Sequence, residues 1–529
     1  MPHFHSSFLH PRFQLDACIE AASLDDVLRE RETRVAQREA LRNQLRQSLS
    51  ERETEAAQRE AWRKQLCRGD SLNSAISGSS NSARAANYSL LSFSLNLAGP
   101  HKRGPLADFF FAAALTLLVD ELSRRFGKLK EPLIRAGRAG AWALLEVPTD
   151  AQSCKAFCLE LEDGLPAGLL WDLDVYVPET GQKLSRSTQG WAERPCLICG
   201  RKVSFCARSR AHSWQELERE SRRLMKEALL SEAADALWLA AEKSLFYEAL
   251  ATPKAGLVDR LDPGAHTDMD IYSFVDSSLA LGPSLRKFIE AGMASSANRD
   301  ISDKIGTFKT LAVLGQQAER SMFRASGGVN TQQGLIFSLG FLLFAAGQRL
   351  RERVEALDRA FEQRESEELH QDVTQALFPT ATELATGASA LATAFLDWRG
   401  DSEESRKRGA RAAVLSGYRE SLSALTILRR ERAEGGDEDE SSLAALLYLM
   451  SRIEDSNILR RAALRQHARA QNELCQMQKR AAEILNLPRK ERSEACCLWN
   501  QELCRKGLSP GGAADQLALT RFFDFLEVE

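Results

Sequence analysis

TPKAGLVDRLDPGAHTDMD, residues 252–270, interrupts a chain whose pattern is otherwise helical almost throughout from Ser213 onward. Its nineteen residues hold a Lys, two Gly, a His and four Asp, with little hydrophobic periodicity. A plain core helix or strand here would bury too many polar groups unpaired. The segment predicts an ordered loop that presents carboxylates and a histidine to something else. Around it the spacing predicts helices near 213–251, 270–295, 303–325, 333–365, 371–398, 403–432, 441–485 and 513–527. The fold expected for this half is all-α.

Upstream the pattern changes. Leu91, Phe93, Leu95 and Leu97 alternate with Ser92, Ser94 and Asn96, and Gly99-Pro100 ends the run, which predicts a strand. A helix follows, about Leu106 to Phe126, and further strands are expected at Ala141–Val147 and Leu169–Val177. This region reads as α+β and closes with a Cys-rich loop, 195–212. The join lies near 213–225 without a flexible linker, so a continuous helix is expected to connect the two regions. Residues 69–87 are Ser/Gly/Asn-rich and read as a linker. Before it, RETRVAQREALRNQL from Arg31 matches RETEAAQREAWRKQL from Arg52 at eleven of fifteen positions, an offset of three heptads. The apolar stripe is thin, so a solvated helix is the simpler reading and a coiled coil the alternative. The division read from these shifts is 1–87 for the repeat and linker, 88–220 for the α+β domain and 221–529 for the helical domain.

At 529 residues the chain is long enough for two or more domains. Its net charge of −3 carries no basic field of the kind that nucleic acid or an anionic membrane surface demands. The runs Phe109–Val119 and Leu335–Gly347 fall short of the roughly 20 apolar residues that span a bilayer. The start, MPHFHSSFLHPRF, lacks the charged-then-apolar build of a signal peptide. A cytoplasmic protein with no membrane partner is expected. Eleven Cys, an odd number scattered over a large chain, fit reduced thiols.

Two sequence centres carry chemistry. In LLWDLDVY, Asp172 and Asp174 occupy alternate positions of a strand-like run, so period 2 places both on one face. Paired carboxylates favour a divalent cation, and Mg²⁺ takes one or two of them plus substrate phosphates. A solvated strand face is the alternative. Downstream, Cys196, Cys199, Cys206 and His212 have a spacing that Zn²⁺ could use, and a small buried thiol cluster is the other reading.

The order SLLSFSLNLAGPHK, LELEDGLPAGLLWDLDVY, LSRS, RPCLICGRKVSFCARSRAH resembles the holo-citrate lyase synthases, over about residues 24–215. That resemblance implies a nucleotidyltransferase-like domain. In it a Ser hydroxyl of the citrate lyase acyl carrier (gamma) subunit attacks the α-phosphate of triphosphoribosyl-dephospho-CoA, and pyrophosphate leaves. Asp172 and Asp174 would hold the metal, and Arg186 and Arg208 would contact phosphate. Where the family has His-Pro-x-Gly-Arg, this chain has Leu165 to Leu169, without the basic groups.

The blocks TPKAGLVDRLDPGAHTDMD, ERSMFRASGGVNTQQGLIFSLG, GARAAVLSGY, IEDSNILRRAA and GLSPGGAADQLALTRFF resemble, in order, the triphosphoribosyl-dephospho-CoA synthases. The implied reaction joins the ribose of ATP to the 2′-hydroxyl of 3′-dephospho-CoA and expels adenine. As that N-glycosidic bond lengthens, the ribose C1 becomes oxocarbenium-like. A carboxylate should stabilise the cation or activate the hydroxyl. Asp259, Asp268 and Asp455 are the candidates for carboxylate and metal roles, and His266 for acid/base work. Lys254 would pair with phosphate. Gly327, Gly328, Gly334, Gly511 and Gly512 would allow close backbone approach, while Asn330, Thr331 and Asn457 would offer neutral hydrogen bonds. Alternatives stay open for each: 509–512 as a capped turn, His266 bonded to a carbonyl, Asp259 as a helix cap. The chain departs from the family at Gln332-Gln333, Ala412-Ala413 and Ala462-Ala463, where His-Lys, Gly-Glu and Gly-Gly are usual. If those glycines had positive φ, each Ala would cost roughly 1–2 kcal/mol. Losing the Lys would forfeit a charged hydrogen bond worth about 1.5–3 kcal/mol. The alternative function is therefore a degenerate helical half that binds its ligand without turning it over.

Overall fold

The computed structural model describes residues 88–526 except 138, 166, 179, 296–300, 364–376 and 465–469, together with 33, 36 and 37; the side chains of 301–303 and 361–363 also fall outside the description. Apart from those three residues, the repeat at 31–45 and 52–66 and the Ser-rich linker lie outside the described residues.

The first region runs β1 (Ser89–Leu95), α1 (Pro105–Phe126), β2 (Leu133–Gly137), β3 (Gly140–Val147), α2 (Ala151–Gly164), β4 (Trp171–Tyr176) and the short α3 (Val203–Ser209). The sheet order is β2-β3-β1-β4, with antiparallel neighbours. In the register of β1 on β4, Ser92 faces Asp174 and Ser94 faces Asp172, while Phe93 faces Leu173. One sheet face is thus polar around the two aspartates and the other apolar, as alternation requires. Phe111 of α1 stacks on Phe93 with ring centroids 5.0 Å apart. Three elements were not expected: β2, α2 and the short α3 inside the Cys-rich loop. The signal for α2 was present: Asp150 accepts hydrogen bonds from the amides of Gln152 and Ser153, and Cys154, Cys158 and Leu161 recur at helical spacing on the buried side. The expected strand from Leu169 starts two residues later, after a 3-10 turn at Gly168–Leu170.

α1 is buried on every side from Pro105 to Leu118. A helix apolar all round must be covered all round. The sheet covers one side, and on the other α1 meets α4 (Trp214–Leu250) and a long helix of the second region. α4 is the expected continuous connection. It opens on a capping box between Ser213 and Glu216 and runs unbroken to Leu250. Phe93, Leu115, Leu237, Phe344 and Phe522 belong to one buried cluster, so a single core passes from the sheet into the helical region.

The helical region continues with α5 (Ile271–Ala294), α6 (Ile301–Ala325), α7 (Gln333–Gln363), α8 (Ala381–Arg399), the one-turn α9 (Glu403–Arg406), α10 (Gly409–Leu415), α11 (Arg419–Ala433), α12 (Glu438–Arg452), α13 (Ser456–Leu464), α14 (Ala470–Leu485), α15 (Arg489–Lys506) and α16 (Gly511–Leu526). The long helices expected at 403–432 and 441–485 are each broken. Gly409, Gly417 and Tyr418 take positive φ and separate α9, α10 and α11. The strain at Tyr418 is offset by a fully buried ring whose hydroxyl donates to the Ser338 carbonyl at 2.8 Å. α15 was not expected at all. α7 carries a stretch, Gln333–Ala360, long and apolar enough to cross a membrane by length and composition, whereas the run read from sequence was shorter. The most apolar 18-residue window within it is 72% buried against the rest of the protein, as a core helix is. α5 and α7 pack so closely that a β-carbon on Gly292 would strike the Phe344 carbonyl, and one on Gly347 the Ile289 carbonyl.

Candidate active site

The 252–270 segment contains no helix or strand, as predicted, and its own side chains hold it in shape. Asp259 accepts from the amides of Lys254 (2.8 Å), Leu261 (2.7 Å) and Asp262 (3.2 Å), which pins the turn. Gly256 has φ +74, and a β-carbon there would lie 2.6 Å from the Leu508 carbonyl oxygen, so only glycine lets the loop lie on the segment before α16. Lys254 is 2% exposed, and its Nζ donates to Glu248 Oε1 at 2.6 Å. That lysine is already neutralised by a glutamate that the sequence reading did not pick out.

His266 is the junction of the loop with the other blocks. Arg461 Nη2 of α13 donates to its Nδ1 at 3.0 Å, and its Nε2 lies 2.8 Å from Ser509 Oγ. A guanidinium only donates, so Nδ1 is the acceptor and the proton sits on Nε2, given to Ser509. Burial, and then the Arg461 charge, hold the imidazolium pKa down to about 4. Asp268, 60% exposed, stands 3.6 Å from Nδ1 and is the solvent-facing carboxylate of the group.

Asp455 faces inward. It is 1% exposed, and its oxygens accept from the amides of Asn457 (2.8 Å), Ile458 (3.3 Å) and Ala513 (3.0 Å). One carboxylate thus caps the first turns of both α13 and α16. Gly512 packs on Asp455, and a β-carbon on Gly511 would overlap the Asn457 amide. These contacts bring 455–457 against 509–513. On the same helix start lies Asp515, whose pKa burial raises well above the usual carboxylate range, reinforced by Glu248 and Asp455. A β-carbon on Gly334 would strike Asp515 Oδ2, so the 330–334 block joins the cluster there. Asn330 caps α7 through Gln333, accepting from its amide and donating to its side-chain oxygen. The Thr331 hydroxyl is buried without a partner. Gly327 and Gly328, with φ of +66 and +92, have no neighbour at a β-carbon position. They form the turn after α6 rather than a close approach to the cluster.

From Gly334 and Ser456 a cavity of about 760 Å³ opens between α5, α6, α7, α8 and α10. Phe337, Phe341, Phe395 and Trp398 line it, with Arg399, Arg408 and Arg411. Asp401 holds two of those arginines: its Oδ1 is 3.0 Å from Arg399 Nε and its Oδ2 2.9 Å from Arg411 Nε. The Arg411 guanidinium also lies over the Phe337 ring, 5.8 Å from its centroid. The volume falls in the range of small-molecule sites, and aromatic faces beside guanidinium groups suit a base and its phosphates. Gln333, at the position where a Lys is usual, lines this cavity, and here the cations come from Arg399, Arg408 and Arg411 instead. Ala412, Ala413, Ala462 and Ala463 are helical and none has positive φ, so the strain expected from them is absent.

In the first region Asp172 and Asp174 share the polar sheet face, 43% and 19% exposed. Burial and then repulsion by Asp174 raise the Asp172 pKa. Lys183 Nζ meets Asp174 at 2.6 Å, and Arg194 Nη2 lies 3.7 Å from Asp172. Buried Glu162 gathers Arg186 and Arg194. Both arms of Arg186 are engaged, by Glu162 and Asp163, whereas Arg208 is exposed on α3. Cys196, Cys199, Cys206 and His212 come together, their ligand atoms all within 4.8 Å of one another.

The class defined by these two centres is a transferase. Residues 234–529 match the family described as ATP:dephospho-CoA triphosphoribosyl transferase, and residues 78–228 the family described as apo-citrate lyase phosphoribosyl-dephospho-CoA transferase. The chain belongs to the ATP:dephospho-CoA triphosphoribosyl transferase family and carries a region of the second family ahead of it. It is 35% identical over 295 residues to a protein of Streptococcus mutans serotype c named probable 2-(5''-triphosphoribosyl)-3'-dephosphocoenzyme-A synthase, covering 54% of this chain and 95% of that one. It is 33% identical over 268 residues to Protein CitXG of Haemophilus influenzae, covering 50% of this chain and 55% of that protein.

Proposed function

We propose that the chain both makes and attaches the prosthetic group of citrate lyase. Its helical half joins the ribose of ATP to the 2′-oxygen of 3′-dephospho-CoA with release of adenine. Its α+β half, read as nucleotidyltransferase-like, then moves the product onto a Ser of the lyase acyl carrier subunit with release of pyrophosphate. The observation that carries the first step is the meeting of an arginine-and-aromatic cavity with a carboxylate cluster at Gly334 and Ser456. Arg399, Arg408 and Arg411 bind the triphosphate and the aromatic wall takes the adenine. The C1–N bond breaks as the C1–O bond forms. Asp515, whose carboxyl burial pushes toward the protonated form, gives its proton to the departing adenine, and Asp268 takes the proton of the incoming hydroxyl. Neutral His266 positions rather than protonates, because both its nitrogens are engaged. Asp455, committed to amides, shapes the site.

In the first half the half-buried Asp172 and its neighbour Asp174 fit Mg²⁺, since burial and the Asp174 charge already raise the cost of ionising Asp172. Bound there, the ion would neutralise charge on the leaving pyrophosphate. Arg194 and Lys183 hold the two carboxylates in place.

Incubation with ATP, Mg²⁺ and dephospho-CoA, followed by chromatography for adenine, tests the first step. Adenine release that vanishes in Asp515→Asn or Asp268→Ala supports the assignment. Ligand binding with no release from the unsubstituted protein would leave only a binding domain. For the second step, authentic triphosphoribosyl-dephospho-CoA and the apo carrier subunit are supplied. Transfer at the full rate by Asp172→Ala/Asp174→Ala would overturn the metal assignment.

A further inference from the structure

The Cys-rich loop between β4 and α4 has an unexplained convergence. Cys196 and Cys199 flank a tight turn in which the Gly200 amide donates to the Cys196 carbonyl (3.0 Å) and the Cys196 amide to the Arg201 carbonyl (2.6 Å). Gly200, at φ +70, closes that turn. Cys206 comes from α3, and His212 from the residue before the Ser213 cap of α4. Four side chains from three separate backbone pieces therefore aim at one point. Cys199 Sγ is 3.4 Å from Cys206 Sγ and 3.3 Å from His212 Nε2. All four cysteine and histidine ligand atoms lie within 4.8 Å of one another, and the three thiols are free.

Those separations match one ion. With Zn–S near 2.3 Å and Zn–N near 2.0–2.1 Å, tetrahedral ligands lie about 3.6–3.8 Å apart. Three sulfurs and an imidazole leave no open position, which is the mark of a structural rather than a catalytic zinc. Soft thiolates exclude Mg²⁺ and Ca²⁺. Cys196 and Cys206 are buried, so the point is shielded from water on that side. We propose that Cys196, Cys199, Cys206 and His212 hold one structural zinc ion, which staples the 195–212 loop to the start of α4.

The staple has a consequence for the neighbouring centre. Arg194, two residues before Cys196, reaches Glu162 and Asp172 from this loop. Zinc fixes the loop and so fixes the Arg194 guanidinium beside the Asp172 carboxylate. Each thiol that is protonated before binding releases its proton to solvent on coordination.

The full chain is expressed with zinc, dialysed against a weak chelator and analysed for metal. One zinc per chain is expected, falling to a trace in Cys199→Ser and unchanged in Cys475→Ser, an exposed thiol elsewhere. Substitution by Co²⁺ should give a thiolate-to-cobalt charge-transfer band. His212→Cys should keep one metal while shifting that spectrum, which covers the case in which Cys199→Ser fails to fold. A trace of metal in the unsubstituted chain after reconstitution with zinc would overturn the proposal. So would a full equivalent retained by folded Cys199→Ser, or a mass gain on reduction that reveals a disulfide among the four residues. These outcomes do not depend on either transferase activity.

Discussion

His266 is hemmed between a guanidinium and a hydroxyl, and its charge state follows from that placement. Its pKa is about 4 in the folded chain against an ordinary 6.5. Below pH 6.5 the unfolded chain therefore takes up a proton that the folded chain refuses. The stability from this group is complete above about pH 6.5 and lost as pH falls toward 4, by no more than about 3 kcal/mol. Urea titrations at pH 7 and pH 4.5 should show a larger acid loss in the unsubstituted protein than in His266→Gln. Equal losses would mean that the imidazole is not held neutral. Asp401 is a residue of the same kind, acting through others. It orients Arg399 and Arg411 without itself belonging to the sequence blocks. Asp401→Ala should raise KM for ATP by about 10-fold, as expected for a misplaced charged contact, with a smaller change in kcat. A fall in kcat at constant KM would argue against a binding role. The residue types of 252–270 announced a site, yet their roles depended on partners hundreds of positions away. Asp259 read equally well as a catalytic group or a cap, and Asp455 as a carboxylate or metal ligand, until their amide donors were known.

At the scale of elements, regular periodicity was legible wherever one helix meets one core. α4, α5, α6 and α7 stand within a few residues of their expected bounds. The failures share a cause: the breaks at Gly417-Tyr418 and at Ile453–Asp455 are set by buried side chains, not by strong helix breakers in a row. Tyr418 in particular takes a positive φ that no tyrosine prefers, and only its buried ring explains it. The close crossing of α5 and α7 carries its own prediction. Gly347→Ala would push a methyl into the Ile289 carbonyl, and backbone cannot move as a side chain can. A loss of about 1–3 kcal/mol is expected from overpacking. Thermal unfolding checks it; a change within about 0.5 kcal/mol would show that the helices separate easily.

For the whole molecule, the informative element is α1, which belongs by sequence to the α+β region and by packing to both. Because one core runs through it, the sheet and the helices that share that core should unfold in a single transition. Leu118→Ala, at a fully buried position of α1, should cost about 2–5 kcal/mol and shift that transition as one. Calorimetry that resolved two transitions, with only the first displaced, would show that the halves melt independently. The sequence by itself determined the family, the two-part layout, the loop at 252–270 and the helix that links the parts. Those features are local, or are carried by blocks that keep their order along the chain. Only the tertiary structure decided which side chains meet at the site and which are committed elsewhere. Lys254 is claimed by Glu248 and Asp455 by the amides of two helices, while Arg399, Arg408, Arg411 and Asp515 converge from outside the opening loop. A polar side chain's chemistry is set by what solvates it. Its neighbours across the fold, rather than along the chain, supply that solvation.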